Sequence, residues 1–256
     1  MDVDFHALTE ASGMDVSREQ VERICHRYLW AASRSRGRDV IEAACGTGQG
    51  LGLLSEVARS LRAGDYDEKN LAVVRRHYAD RVAVERFDAQ AMPFPDASAD
   101  VVILFEAIYY LPDAGQFVAE CRRVLRRGGE VLVATANKDL YDFNPGAHTH
   151  RYFGAADFAG LFGPDFDVTC FGHLTFADVS LRQRALRGVK RLAVKFDLIP
   201  KAQASKTFLK KFVFGRPVTM PVEVRPDMIR YAEPVPLPPG EPDNAHKVIY
   251  CAARKR

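Results

Sequence analysis

The residues with the clearest chemical potential form one acidic, glycine-dense turn near the start of the chain. The stretch from Val40 to Gly50 reads Val-Ile-Glu-Ala-Ala-Cys-Gly-Thr-Gly-Gln-Gly. Gly46 and Gly48 can adopt positive φ angles, and they let the backbone approach a ligand without a Cβ atom in the way. Glu42 places a carboxylate beside them. This combination predicts a binding site for a nucleotide-like cofactor.

The neighbouring residues predict the elements that hold this turn. Val40 and Ile41 end a buried strand, and apolar residues recur at helical spacing from Leu51 to Leu61. Strand, glycine turn and helix in this order are typical of the first unit of a doubly wound sheet, in which ligands bind beyond the carboxyl ends of the strands. The dinucleotide fingerprint G-x-G-x-x-G fails in both registers, because its third glycine would fall on Leu51 or Leu53. An oxidoreductase that uses a dinucleotide is therefore disfavoured.

Two further acids are predicted at the carboxyl ends of the next strands. Asp65 ends a segment that begins at Leu61, and a carboxylate there can accept hydrogen bonds from ribose hydroxyls. Asp88 follows a third apolar segment, from Val82 to Phe87. Each acid taken alone could equally be a solvated residue at a strand end. Their occurrence together with the glycine turn favours a cofactor site.

The order of these segments resembles that of the class I S-adenosylmethionine-dependent methyltransferases. The glycine turn resembles their E-x-G-x-G-x-G turn, with Ala44 in place of the first glycine. Residues 88–102 resemble their run D-A-x-x-L-P-F-x-D-x-S-F-D-x-V, and residues 123–129 resemble their R-V-L-R-P-G-G turn, with Arg127 in place of proline. The resemblance is specific over residues 39–136. It implies a Rossmann-like fold, with S-adenosylmethionine as cofactor and S-adenosylhomocysteine as product.

The resemblance also implies roles for individual residues. Asp88 would face the adenine amino group and Tyr66 would pack on an adenine face. Phe105 and Glu106 would lie near the methionine end, and Tyr28 would be a lid contact, with core packing as the alternative. The expected cofactor contacts are Tyr28, Glu42, Ala43, Gly46, Gly48, Asp65, Tyr66, Asp88, Ala89, Gln90 and Phe105.

Residues that follow the fourth and fifth predicted strands are the candidates for chemistry at the methyl group. Methyl transfer from a sulfonium is an in-line displacement, so alignment and exclusion of water are the main requirements. A hydroxyl acceptor would also need a base, whereas an amine or a carboxylate could be methylated by positioning alone. The expected catalytic residues are Glu106, His148 and Tyr109, with Glu106 or His148 as the base. Further candidates are Tyr110, Asn137, Tyr141, Phe143, Asn144, His150 and Tyr152.

Neither a disulfide framework nor a metal site is expected. The five cysteines are odd in number, scattered along the chain and without C-x-x-C spacing. His148 and His150 form an H-x-H pair without a nearby third ligand, so we predict no metal. Cys45, inside the glycine turn, is interpreted as a small packing residue.

One domain is expected, since 256 residues can bury a single large core. We predict a mostly parallel, doubly wound, seven-stranded α/β sheet, with a cofactor-binding core at 37–171 and a last strand at 246–253. An N-terminal helical cap, residues 1–36, would contain a helix from about Ser17 to Ser33. The remaining segment, residues 172–245, is an insertion before the last strand and would cover the substrate.

The insertion concentrates positive charge, although the net charge of the whole chain is only +3. Residues 178–211 hold ten Lys/Arg against two Asp, and apolar residues recur there at helical spacing. Three interpretations stay open for the basic segment at 182–211: an ordinary packed helix with a solvated face, attraction to an anionic substrate or membrane surface, and nucleic acid. A specific nucleic-acid partner is disfavoured, because the segment after the fourth strand lacks an N-P-P-Y type motif. Residues 217–242 contain eight of the fourteen prolines and predict extended chain lying against the domain.

These features predict methylation of a small-molecule acceptor at oxygen, nitrogen or carbon, such as a metabolite, a sugar or a secondary-metabolite intermediate. One alternative is a scaffold that binds the cofactor without turnover. Another is a methyltransferase for a lipid-linked or phosphorylated acceptor at a membrane surface. The chain shows neither a signal-peptide pattern nor an apolar run of eighteen residues, so a cytoplasmic location is expected.

Overall fold

The computed structural model describes residue 6 and residues 10–141, 143–175 and 217–256. Helices and strands alternate from the first helix to the fifth, except that no α-helix separates the fourth strand from the fifth. In chain order the elements are β1 (Asp15–Val16), α1 (Arg18–Ser35), β2 (Asp39–Ala43), α2 (Leu51–Val57), β3 (Ser60–Asp65), α3 (Glu68–Tyr78), β4 (Val84–Arg86), β5 (Ala99–Phe105), α4 (Ala114–Val124), β6 (Leu125–Ala136), α5 (Asp157–Phe162), β7 (Phe166–Thr175), β8 (Val218–Thr219), β9 (Val235–Pro236) and β10 (His246–Lys255).

Eight of the described strands form one sheet in the order β4-β3-β2-β5-β6-β10-β7-β9. The ladders from β4 to β6 are parallel, and β10 runs antiparallel to both β6 and β7. The predicted doubly wound, mostly parallel sheet is therefore confirmed, and so is the late return of the chain as β7 and β10. The sheet has eight described strands rather than the predicted seven, because β9 adds an edge strand that was not predicted. This strand has two residues, and its Val235 pairs with Gly172.

The prediction of a helix from Leu51 to Leu61 was wrong at its carboxyl end. Helix α2 stops at Val57, and the N–H of Ala58 closes its last turn on the Leu54 carbonyl. Leu61 lies in β3, as the prediction of a second strand from Leu61 to Asp65 also had it, and it pairs with Val40 of β2. A leucine at helical spacing fits either element, and the parallel ladder decides in favour of the strand.

The sheet is covered on both faces, as a doubly wound fold requires. On one face Phe117 of α4 and Phe158 of α5 are fully buried. On the other face Trp30 of α1 stacks on Tyr250 of β10, with ring centroids 4.9 Å apart. Helix α1 begins with a capping box, in which Ser17 and Gln20 satisfy each other's backbone N–H groups.

The described part of the predicted insertion lies against the glycine turn and the segment before α1. Met220 is fully buried, and its N–H donates to the Met14 carbonyl. The N–H of Val224 donates to the carbonyl of Gln49 at 2.7 Å. The basic segment at 182–211 lies outside the described residues, so its three interpretations remain predictions.

Candidate active site

A cavity of about 590 Å³ lies at the carboxyl ends of the parallel strands. This is the place where a doubly wound sheet binds ligands. The first part of the lining lies around three features: the glycine turn, the end of β3 and the segment after β4. It consists of Tyr28, Ala44, Cys45, Gly46, Gln49, Asp65, Tyr66, Asn70, Phe87, Asp88, Ala89, Gln90 and Phe105. The other part surrounds the end of β5: Glu10, Arg23, Ile24, Arg27, Glu106, Ala107, Tyr109, Tyr110, Leu111, Pro112, Ala136 and His150.

The glycine turn adopts the left-handed backbone that its composition predicts. Gly46 has a φ of 57° and Gly48 a φ of 82°. A Cβ atom on Gly48 would lie 2.9 Å from Val74 Cγ2, so a side chain there is excluded by space as well as by backbone conformation. Ala44, which replaces the first glycine of the motif, also has a positive φ, of 55°.

Asp65 lies at the end of β3 and binds the glycine turn directly. Its Oδ2 accepts a hydrogen bond from the Gly46 N–H at 2.8 Å, and its Oδ1 accepts one from the Asp67 N–H at 2.9 Å. Asn70, in the first turns of α3, donates to the same Oδ1 at 3.3 Å. Burial raises the pKa of Asp65 from its ordinary value, while these donors act to lower it.

A second carboxylate lies in the segment after β4, and an aromatic ring lies directly after β3. Asp88 closes a tight turn, because its Oδ1 accepts from the Gln90 N–H at 2.8 Å. Tyr66 follows Asp65 and is 47% exposed, with the guanidinium of Arg86 over its ring at 5.2 Å. An exposed ring beside two strand-end carboxylates is suited to packing against a flat base.

Glu42 lies beneath the glycine turn. Three of the expected cofactor contacts, Glu42, Ala43 and Gly48, do not line the cavity. The hydroxyl of Tyr28 donates to Glu42 Oε1 at 2.6 Å, and Glu42 Oε2 is buried without a hydrogen-bond partner. Burial raises the pKa of Glu42 to about 7. Tyr28 is buried in the core and also lines the cavity, so its position fits both core packing and a contact with the cofactor.

Glu106 directly follows β5 and has a φ of 51°. Such a conformation is costly for a residue with a side chain, and it is found where surrounding contacts hold it. The N–H of Glu106 donates to the Ala134 carbonyl at 2.8 Å, and Tyr109 donates to Glu106 Oε2 at 3.1 Å. Nη1 of Arg27, from α1, lies 3.5 Å from Glu106 Oε1. Burial, followed by the charge of Glu106, raises the pKa of Tyr109 well above its usual range.

His148 is exposed and lies outside the lining of the cavity, whereas His150 lines it. The N–H of His150 donates to the carbonyl of Tyr109 at 2.7 Å, which brings this second histidine toward the end of β5. The structure therefore does not place His148 among the residues that line the cavity, and a base at His148 stays a prediction. Asn137, another candidate, is buried and holds β10, since its side-chain amide donates to the carbonyls of Asp243 and His246.

In the described part of the chain no cluster of three or more acidic, histidine or cysteine side chains could hold a metal ion.

Several lining residues were not predicted. Arg23 and Arg27 project from one face of α1, and Asn70 projects from α3 toward Asp65. The sequence shows that Arg27 lies four residues after Arg23 and that Asn70 lies five residues after Asp65. Which face of each helix meets the sheet, however, depends on tertiary packing. Glu10 and Gln49 are joined by a bond from the Gln49 side-chain amide to the Glu10 carbonyl at 2.6 Å, which no local pattern indicates.

Residues 41–133 match the family of methyltransferase domains. A probable S-adenosylmethionine-dependent methyltransferase from Mycolicibacterium smegmatis is 48% identical over 122 residues, covering 48% of this chain and 46% of that protein. A phthiotriol/phenolphthiotriol dimycocerosates methyltransferase from Mycobacterium ulcerans is 38% identical over 102 residues, covering 38% of this chain and 36% of its own length. The matches thus span about half the length of these curated relatives, or less.

The fold extends the likeness beyond the matched segment. An S-adenosylmethionine-dependent methyltransferase structure from Thermotoga maritima superposes with a TM-score of 0.54 at 15% identity, covering 93% of this chain and 96% of that one. Residues 41–133 therefore resemble a methyltransferase domain, the described fold is Rossmann-like, and S-adenosylmethionine is the cofactor that these relatives imply. None of the described helices is both long and apolar enough to cross a membrane.

Proposed function

We propose that the protein transfers a methyl group from S-adenosylmethionine to a small-molecule acceptor. The observation that carries this proposal is one continuous cavity, which joins the strand-end carboxylates Asp65 and Asp88 to the cluster of Glu106 and Tyr109. Its volume of about 590 Å³ lies in the range of small-molecule sites.

The residues of the first part of the cavity fit the cofactor. Gly46 presents backbone free of a side chain to the cavity, and Asp65 offers a carboxylate for ribose hydroxyls. Tyr66 and Asp88 would hold the adenine base, and Phe105 would lie toward the methionine end. When bound, the cofactor supplies an electrophilic methyl group on a positively charged sulfur.

The residues around the end of β5 would then align the acceptor. Tyr109 and Tyr110 are in edge-to-face contact, with centroids 4.7 Å apart, and Tyr109 stacks on Tyr152. These rings exclude water from one wall of the cavity and suit an acceptor with an apolar or ring-bearing body. Glu106 would accept the proton of a hydroxyl acceptor.

A lipid acceptor is a second candidate. The relative from Mycobacterium ulcerans is named for a dimycocerosate acceptor. The apolar Leu111 and Pro112, which extend the aromatic wall, would accommodate part of such a molecule. A scaffold without turnover would retain the cofactor half of the cavity and yield no product.

The test is calorimetric titration of S-adenosylmethionine and S-adenosylhomocysteine into the wild-type protein and the Asp65→Ala variant. Micromolar binding to the wild type that is at least tenfold weaker in the variant would support the proposed site. Asp80→Ala, at an exposed acid after α3, is the matched control and should bind as the wild type does. Thermal unfolding of each variant would verify that it is folded, and Asp65→Asn replaces Asp65→Ala where it is not. Failure of the folded wild type to bind either compound would contradict the proposal.

Acceptors would be found by the formation of S-adenosylhomocysteine in the presence of hydroxyl, amine, phosphorylated and long-chain lipid compounds. Product formed with a water-soluble compound alone would favour the small-molecule acceptor. Product formed with lipid alone would favour the second candidate.

A further inference from the structure

A guanidinium and a carboxylate meet where the two parts of the cavity join. Arg27 is 9% exposed, and its Nη1 lies 3.5 Å from Glu106 Oε1. The side chain of Glu106 is 22% exposed, so the pair is shielded from water more than a surface ion pair is. The charge of Glu106 acts to raise the pKa of Arg27 against the opposing effect of burial, and Arg27 therefore remains a cation.

An acid close to a sulfonium creates a difficulty for methyl transfer. The positive charge on sulfur is lost as the methyl group leaves, so a nearby carboxylate stabilises the starting state more than the transition state. The same carboxylate would bind the positively charged S-adenosylmethionine more tightly than the neutral S-adenosylhomocysteine. A cation paired with that carboxylate removes both effects.

The two strand-end acids of the cavity are held differently from Glu106, whereas Glu10, also in the lining, lies 3.5 Å from Nη2 of Arg23. Asp65 and Asp88 accept hydrogen bonds from neutral N–H donors, and their charges are therefore not cancelled by a cation in the contacts described above. Glu106, the acid expected nearest to the sulfur, instead faces a guanidinium carried by a different element, α1. The compensating charge is thus present at the acid where methyl transfer requires it.

We propose that Arg27 is a positioning residue that compensates the charge of Glu106 and so sets the relative affinity of the site for S-adenosylmethionine and S-adenosylhomocysteine. This inference rests on the proposed function, because it assumes that the cofactor binds in this cavity with its sulfur toward β5.

The test needs no acceptor. Calorimetric titration would give the Kd of each compound, and the preference is the ratio of the Kd for S-adenosylhomocysteine to the Kd for S-adenosylmethionine. Arg27→Met leaves Glu106 uncompensated and should raise this preference about tenfold. Glu106→Gln leaves Arg27 uncompensated and should lower it by a similar factor. The double variant should return to within about threefold of the wild type, because both charges are then absent.

Two controls separate charge from structure. Arg27→Lys keeps the cation and should keep the wild-type preference, even if it weakens both affinities. Arg34→Met removes another arginine of α1, one that pairs with Glu130 away from the cavity, and should leave the preference unchanged. If Arg27→Met does not fold, the two remaining variants still give different expectations, namely a lower ratio for Glu106→Gln and an unchanged ratio for Arg27→Lys.

The outcomes distinguish the two proposals. Binding of neither compound by the folded wild type would overturn the proposed function and this inference with it. Binding of both compounds, with a preference that does not move in Glu106→Gln or Arg27→Met, would overturn the role of Arg27 alone. Equal weakening of both affinities in Arg27→Met and Arg27→Lys would identify Arg27 as a merely structural residue.

Discussion

The hydroxyl of Tyr28 donates a 2.6 Å hydrogen bond to Glu42 beneath the glycine turn, and this bond joins α1 to the end of β2. Both residues are buried, at 4% and 1% exposure. Because the other carboxylate oxygen of Glu42 has no partner, the hydrogen bond from Tyr28 is the main stabilising contact for a group that burial disfavours in its ionised form.

Glu42 should make the protein less stable as pH rises. The pKa of Glu42 is about 7 in the folded protein and 4.5 ordinarily, so between these values the unfolded chain binds fewer protons than the folded one. The free energy of unfolding then falls with increasing pH, by at most about 3 kcal/mol across this window. Glu42→Gln lacks the titration and keeps an acceptor for Tyr28. Urea unfolding at pH 4.5 and 7.5 should show the variant gaining stability relative to the wild type at the higher pH, and a constant difference would contradict this.

Gly50 makes room for the ring of Tyr28. A Cβ atom at Gly50 would lie 1.9 Å from Tyr28 Cε1, although the φ of −92° permits alanine. Gly50→Ala must displace the ring, so we expect a loss of about 1–3 kcal/mol in the free energy of unfolding and weaker binding of S-adenosylhomocysteine.

Gly160→Ala is the matched control for this substitution, because Gly160 lies in α5 with open space around its Cβ position. It should be neutral or stabilising by up to about 1 kcal/mol. Combining Gly50→Ala with Tyr28→Ala should cost less than the sum of the two single variants. Strict additivity would show that the predicted clash does not matter.

Ala44 has a strained backbone that glycine would relieve. Its φ of 55° costs an alanine about 1–2 kcal/mol, whereas glycine adopts this conformation freely but loses more entropy on folding. Ala44→Gly should therefore raise the free energy of unfolding by about 0.5–1 kcal/mol. Ala97, with a φ of 49° in the loop before β5, provides a comparison away from the cavity, and Ala97→Gly should give a similar gain. A decrease in stability for Ala44→Gly in urea unfolding would refute the assignment of strain.

His26 should contribute a pH dependence of the opposite sign. Its ring donates from Nε2 to the Ala232 carbonyl at 2.8 Å, and its Nδ1 therefore accepts from the Tyr250 hydroxyl at 3.0 Å. Burial lowers the pKa of His26 below 6.5, so below that pH the unfolded chain binds a proton that the folded protein does not. The free energy of unfolding should then fall as pH falls through this range. His26→Gln should reduce the acid loss when wild type and variant are compared between pH 8 and 5.5, and parallel curves would count against it.

The glycine turn and the acids at the strand ends were largely predictable, because both depend on local backbone conformation. Gly46 and Gly48 adopt positive φ angles and Asp65 ends β3, so short segments encode both features. Which residues line the cavity around the end of β5 was predicted less well. Glu106 and Tyr109 were expected from their place after the fourth predicted strand, yet His148 was favoured over His150, since two residues of a loop cannot be told apart by pattern.

The amino-acid sequence by itself determined the order of strands and helices, the glycine turn and the acids at the strand ends. It could do so because hydrophobic periodicity and backbone conformation act over a few residues. Only the tertiary structure decided that Arg27 meets Glu106, that Tyr28 covers Glu42 and that β9 extends the sheet. These contacts join residues far apart in the chain, and packing of whole elements, rather than any local preference, brings them together.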